Sequence, residues 1–153
     1  MKLYLEKIHL YLVGLNKPLL IALFIIVSIL NSLLFSLLSY FITGNGLRNQ
    51  DMGGKDQFFI VVLVAPIIET LIFQYAIIES VREKMRPLYA CFISAFAFAF
   101  FHFYSVYYFV FALIGGLTFA YMYYLEKSVI KSILVVLTAH ILYNLLIYAG
   151  RFL

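Results

Sequence analysis

Five apolar runs, at residues 18–43, 58–78, 88–104, 106–125 and 129–149, constrain this chain more than any other feature. At about 1.5 Å per residue, a helix of roughly 20 residues crosses the ~30 Å hydrocarbon core of a bilayer. Such segments must be helical, because the membrane interior offers no water to satisfy backbone amides. The chain is 65% hydrophobic and 12% charged over 153 residues, with a mean hydropathy of +1.04. A soluble domain of this length cannot hide so much apolar surface. The expected fold is all-α, a polytopic membrane helix bundle of about five transmembrane helices. It forms a single membrane domain over 1–153, with an N-terminal lead, first span and polar loop in 1–57 and a core in 58–150.

The remaining composition narrows the partners. A net charge of +4 could suit nucleic acid, but the basic residues sit at the ends of apolar runs. They read as topology signals, so membrane lipid is a partner and nucleic acid is not. With the N-terminus in the cytoplasm, the inner segments hold Lys2, Lys7, Lys17, Arg82, Lys84, Arg86, Lys127 and Lys131. The outer segments hold Arg48, Lys55 and Arg151, so the expected arrangement is N-terminus inside and C-terminus outside. Residues 1–17 either lie in the interface or lead into the first span, and His9 reads as a headgroup-level residue. The 18–43 run exceeds the apolar core of a cleaved signal peptide and reads as a retained anchor. Ser28, Asn31, Ser32, Ser36 and Ser39 within it read as helix-packing residues. The glycines of 44–57 neither follow a strand nor precede a Lys-Ser/Thr pair, which excludes a phosphate loop. Cys91, the one cysteine, reads as a small core residue.

Glu69 lies near the middle of the 58–78 run. A carboxylate at that depth costs roughly 2.5–3.5 kcal/mol on insertion scales, so it must be sheltered from lipid. It is either a structural acid bonding neighbouring helices or part of a site. Counted from the inner ends at ~1.5 Å per residue, Glu69 and His140 lie roughly 16 Å deep, His102 and Asn144 roughly 21 Å. The polar groups of three separate runs therefore fall in one slab. His140 and Asn144, four apart, share one helix face.

These residues also form three ordered motifs. They are Glu69-Thr70-Leu71-Ile72-Phe73-Gln74, Phe98-Ala99-Phe100-Phe101-His102 and His140-Ile141-Leu142-Tyr143-Asn144. They resemble the type II CAAX prenyl endopeptidases and the bacteriocin-processing and immunity-associated membrane proteins grouped with them. That family carries Glu-Glu-x-x-x-Arg, Phe-x-x-x-His and His-x-x-x-Asn/Asp on successive core helices. Pro66 and the Gly115-Gly116 pair look familial too. The resemblance covers about 61–150 and makes 58–150 a protease-like core. The sequence departs from the pattern at Thr70, where the second Glu would be, and at Gln74, where the Arg would be. Gln74 can hydrogen-bond but cannot hold a carboxylate by charge.

The resemblance implies an intramembrane endopeptidase acting on a membrane-associated peptide or protein, in the plasma membrane of a prokaryote. Glu69 with His102 would activate water, while His140 with Asn144 would stabilise the oxyanion, and Phe98, Thr70 and Gln74 would support them. No Ser or Cys occupies a motif position, so water attacks directly. No cofactor is the favoured expectation. Zinc held by Glu69, His102 and His140 is the alternative, since these are ligand types of catalytic zinc. Two other function classes stand beside the peptidase. One is a non-catalytic immunity or accessory protein binding a peptide in the same cavity. The other is a small transporter, which the absence of an inverted repeat weakens. Substrate identity and oligomeric state are not readable from the sequence.

Overall fold

A computed structural model describes residues 2–47 and 57–150. Among these the elements are six helices: α1 (Lys2–Gly14), α2 (Lys17–Thr43), α3 (Gln57–Val81), α4 (Pro87–Phe101), α5 (Val106–Tyr124) and α6 (Val129–Ala149). The chain is an integral membrane helix bundle. Four helices, α2, α3, α5 and α6, are long and apolar enough to cross a membrane. The fifth expected span, 88–104, is the shorter α4 of 15 residues, about 22 Å long. It stops at Phe101 because the chain turns at His102, and Ser105 then caps α5 by accepting the Tyr108 amide at 3.1 Å. The outer basic residues Arg48, Lys55 and Arg151 lie outside the described residues.

Local chemistry sets the helix ends. Asn16 caps α2 by accepting the Leu19 amide at 3.0 Å, and Pro18 occupies its first turn. At the far end Gly44 takes φ 74°, left-handed backbone that favours glycine, and returns its amide to the Tyr40 carbonyl.

In lipid, apolar burial gives helices little reason to associate, so close packing of small residues must do so. The buried contacts match that logic, with Ala90, Ala95, Ala99, Ala112, Ala120 and Ala139 all inside. The tightest approach is α4 against α5 at Gly116. A Cβ there would stand 3.0 Å from the Ala95 Cα and 3.2 Å from its carbonyl oxygen. Cys91 is buried as expected. The outer faces keep their large apolar side chains exposed, as Leu30, Leu33, Leu34 and Leu37 do on α2.

One end of the bundle is closed by paired polar groups. Lys17, at the start of α2, forms an ion pair with Glu126 after α5. Glu79 on α3 accepts from Arg82 at 2.9 Å and from the Tyr123 hydroxyl at 3.0 Å. His9 Nδ1 lies 3.0 Å from the Tyr121 hydroxyl, which ties α1 to α5.

Candidate active site

The helix carrying Glu69 is irregular, and Pro66 accounts for the part that precedes it. Proline lacks an amide hydrogen and its ring clashes with the carbonyl four residues back. Wider π-helical turns at Ile60–Val64 and Thr70–Ile77 flank the α-helical Ala65–Glu69 segment. The Ala65 amide donates to the Ile60 carbonyl, five residues back. Val61's carbonyl has thereby lost its α-helical donor, and its π-helical donor would be Pro66, which has none. Asn144 on α6 fills the gap, donating from Nδ2 to the Val61 carbonyl at 2.8 Å. An orphan carbonyl in this setting would cost about 1–3 kcal/mol. One side chain of the third motif therefore mends the helix that holds the first.

Glu69 projects between two imidazoles. Its Oε1 lies 3.5 Å from His102 Nε2, and its Oε2 lies 3.4 Å from His140 Nε2. Both exceed the usual N–H···O range. The surroundings assign the two rings different tautomers. His102 Nδ1 sits 2.8 Å from the Phe98 carbonyl, which can only accept, so Nδ1 carries the hydrogen. In the neutral ring Nε2 then presents a lone pair. His140 is the reverse case. Its Nδ1 is buried with no partner, so a hydrogen there would be an orphan donor. Carried on Nε2, the hydrogen faces the Glu69 carboxylate. The His140 ring is held by stacking on Phe119, centroids 4.5 Å apart, with the Phe98 edge 6.3 Å away. Phe98 also stacks on His102 at 4.3 Å, so this residue fixes both rings.

Glu69, His102, His140, Asn144 and Phe98 all line one cavity of about 610 Å³. Thr70 and Gln74 do not line it. They are fully buried in the helix packing, and the Thr70 hydroxyl and both Gln74 amide atoms lack partners. The sequence motif thus points two ways, Glu69 into the cavity and its neighbours away from it. Among the described residues no group of three or more His, Cys, Asp and Glu side chains is arranged to hold a metal ion. Glu69, His102 and His140 are the residues that zinc, the alternative expectation, would use.

The cavity has a wall that sequence reasoning assigned elsewhere. Ser28, Asn31, Ser32 and Ser36 of α2 line it, whereas Ser39 ties down the helix end by donating to the Asn45 carbonyl at 2.8 Å. Packing is part of the Asn31 role, since its Nδ2 donates to the Phe111 carbonyl of α5 at 3.0 Å. The available signal was the three-and-four spacing of these residues, which places them on one face of α2. Tyr104 and Tyr108 also line the cavity, and the Tyr108 ring lies nearly parallel to that of His102 at 6.4 Å. Nothing in a Tyr-rich sequence marked those two.

Set against known proteins, the chain matches no curated protein and no solved structure. A protein-family profile described as type II CAAX prenyl endopeptidase Rce1-like does match, over residues 56–146. That interval contains Glu69, His102, His140 and Asn144 and covers more than half of the chain. The chain therefore belongs to the Rce1-like family of type II CAAX prenyl endopeptidases.

Proposed function

We propose that this protein is an intramembrane endopeptidase that hydrolyses a peptide bond of a membrane-associated peptide by glutamate-activated water, without a metal. The observation that carries this reading is the Glu69 carboxylate set between two imidazoles at the wall of a cavity. Glu69 and the His102 Nε2 lone pair are both acceptors. One water can donate a hydrogen to each, and its oxygen is thereby polarised for attack.

Attack on the scissile carbonyl transfers one water proton to Glu69 and leaves a tetrahedral oxyanion. The His140 Nε2–H is positioned to donate to that oxygen, with the second Asn144 amide hydrogen, the one not spent on Val61, beside it. Collapse breaks the C–N bond, and Glu69 returns its proton to the leaving nitrogen. The products are a carboxylic acid and an amine. Phe98 keeps both rings in place, while Thr70 and Gln74 act only through the packing of α3.

The test uses purified protein and a candidate membrane peptide, with cleavage followed by mass spectrometry. Glu69→Gln keeps shape and hydrogen bonding but cannot take the proton, and general-base loss typically costs 10²–10⁴-fold. A Glu69→Gln protein with full function would remove the hydrolase reading in favour of a peptide-binding accessory role. Elemental analysis tests the metal-free mechanism separately. One zinc per chain, lost with activity on chelation and restored on addition, would overturn it. For topology, the reading with the N-terminus inside has cysteines placed at Asp51 and Glu83 labelled from opposite sides of the membrane.

A further inference from the structure

We propose that water and substrate reach Glu69 from one end of the bundle only, the end where α2 stops and α3 begins, and that this end faces the outer side of the membrane. The site then cuts a peptide segment presented from the extracytoplasmic face. This deepens the hydrolase reading by naming the side from which its substrate comes, and it rests on that reading for the reaction alone.

The direction of the cavity follows from which part of each helix lines it. Short connections between α3, α4, α5 and α6 make neighbouring helices antiparallel, and the Lys17–Glu126 pair sets the start of α2 beside the end of α5. One end of the bundle therefore holds late residues of α2 and α4 but early residues of α3 and α5. The lining falls between positions 28 and 36 on α2, 60 and 69 on α3, 108 and 119 on α5, and 140 and 150 at α6. Each stretch leads from the level of the site to the same end. Among the described residues, none past Ser28, Glu69, Phe98, Phe119 and His140 in the other direction lines it. The cavity is thus a shaft with Glu69 at its floor, roughly 14 Å deep along α6 at about 1.5 Å per residue.

Beyond that floor the helices close on one another. Ile78, Met122, Tyr123 and Val136 belong to one packed cluster and are at most 1% exposed. A core packed to that density holds no path for water. Cys91 belongs to the same cluster. At the other end α4, the short helix, stops at Phe101 and leaves room above the site. A second hollow of about 350 Å³ adjoins the shaft there and shares Leu47, Tyr104 and Tyr108 with it. The Tyr108 ring lies 5.0 Å from that of Tyr104, at the mouth, and 6.4 Å from that of His102, so one aromatic wall runs from the opening to the site.

Charge chooses the side. The closed end carries Lys17, Arg82, Lys84, Arg86, Lys127 and Lys131, whereas the sequence leaves Arg48, Lys55 and Arg151 for the open end. Segments rich in Lys and Arg stay in the cytoplasm, so the open end faces outward. A peptide held on the cytoplasmic face meets the packed end, while one on the outer face can descend to Glu69.

The experiment uses the full chain in right-side-out and everted membrane vesicles, probed with a membrane-impermeant sulfonated maleimide. Cys91 is buried and is the one cysteine of the chain, so the parent protein should take no label from either side. Ser36→Cys, part-way along the shaft, should be labelled in right-side-out vesicles and not in everted ones. Glu83→Cys, in the turn at the closed end, should show the reverse. Thr43→Cys, in the adjoining hollow, gives the same reading as Ser36→Cys where that variant accumulates poorly. Once labelled, Ser36→Cys should lose cleavage of a peptide added outside, because its route to Glu69 is filled.

Labelling of Ser36→Cys from the everted side overturns the proposal, as does labelling of Cys91 in the parent from either side. A shaft that takes only a lipid-soluble maleimide, or none, overturns it too, the former by opening the cavity sideways to lipid. Cleavage that survives the blocked Ser36→Cys removes the single route. The two readings fail separately. Outer-side labelling with no cleavage of any tested peptide keeps the shaft and removes the hydrolase. Cleavage together with inner-side labelling keeps the hydrolase and removes the direction.

Discussion

Glu69 and Glu79 lie on the same helix, ten residues apart, and do opposite things. Glu79 is saturated. The Arg82 guanidinium at 2.9 Å and the Tyr123 hydroxyl at 3.0 Å take up its Oε1, and this end of the bundle is further closed by the Lys17–Glu126 pair. Glu69 has no Lys or Arg beside it, only two imidazoles at 3.4 and 3.5 Å and a cavity. A carboxylate whose partners are all in place stabilises a fold. One whose partners stand just too far away leaves room for a third party, which in the proposed hydrolysis is water. The two acids differ in depth as well, since Glu69 lies near the middle of the apolar helix and Glu79 near its end.

Substituting both acids is the strongest way to break this contrast. Glu69→Gln should abolish turnover, a loss of about 10²–10⁴-fold, with the melting temperature little changed. Glu79→Gln should keep the turnover rate and lower the melting temperature instead. If the two variants behave alike, the contrast fails.

Asn144→Ala comes next, because it belongs to both categories. Removing an oxyanion donor costs about 10²–10³-fold in rate, and orphaning the Val61 carbonyl costs about 1–3 kcal/mol in stability. Faster amide exchange across residues 60–65, measured by mass spectrometry, should accompany the rate loss. Unchanged exchange would mean that Asn144 acts on substrate alone.

Gly116→Ala should lower stability by about 1–3 kcal/mol, since its Cβ would press on Ala95 backbone rather than on a flexible side chain. Gly115→Ala, whose Cβ would meet only Asn31 Nδ2 at 4.0 Å, should be far milder in a denaturant melt. A reversed order would disprove the α4–α5 contact as drawn.

The smallest effect belongs to the saturated end. Arg82→Gln removes one member of a partly exposed pair and should cost no more than about 1 kcal/mol, with turnover unchanged. A large loss of activity would couple this end to the site and erase the distinction between the two acids.

The sequence by itself determined the helical membrane fold and the gathering of Phe98, His102, His140 and Asn144 around Glu69 in the cavity. The reason is energetic. Lipid satisfies no polar group, so Glu69, His102, His140 and Asn144, placed on apolar runs, had to shelter together. Run length, depth and motif order were enough to bring Phe98 and those four residues to one place.

Tertiary structure alone decided the rest. Pro66 permits a change of helical register, but only packing chose π-helical turns on both sides of Ala65–Glu69, and that register decides where Thr70 and Gln74 point. The bond from Asn144 to Val61 joins positions 83 residues apart, and its need arises from a carbonyl that only the folded helix orphans. Likewise Ser28, Asn31, Ser32 and Ser36 share a helix face in the sequence, yet whether that face meets a helix or a cavity depends on where α5, α6 and α3 stand. Spacing fixes which side chains share a face, while neighbours in space fix what that face touches.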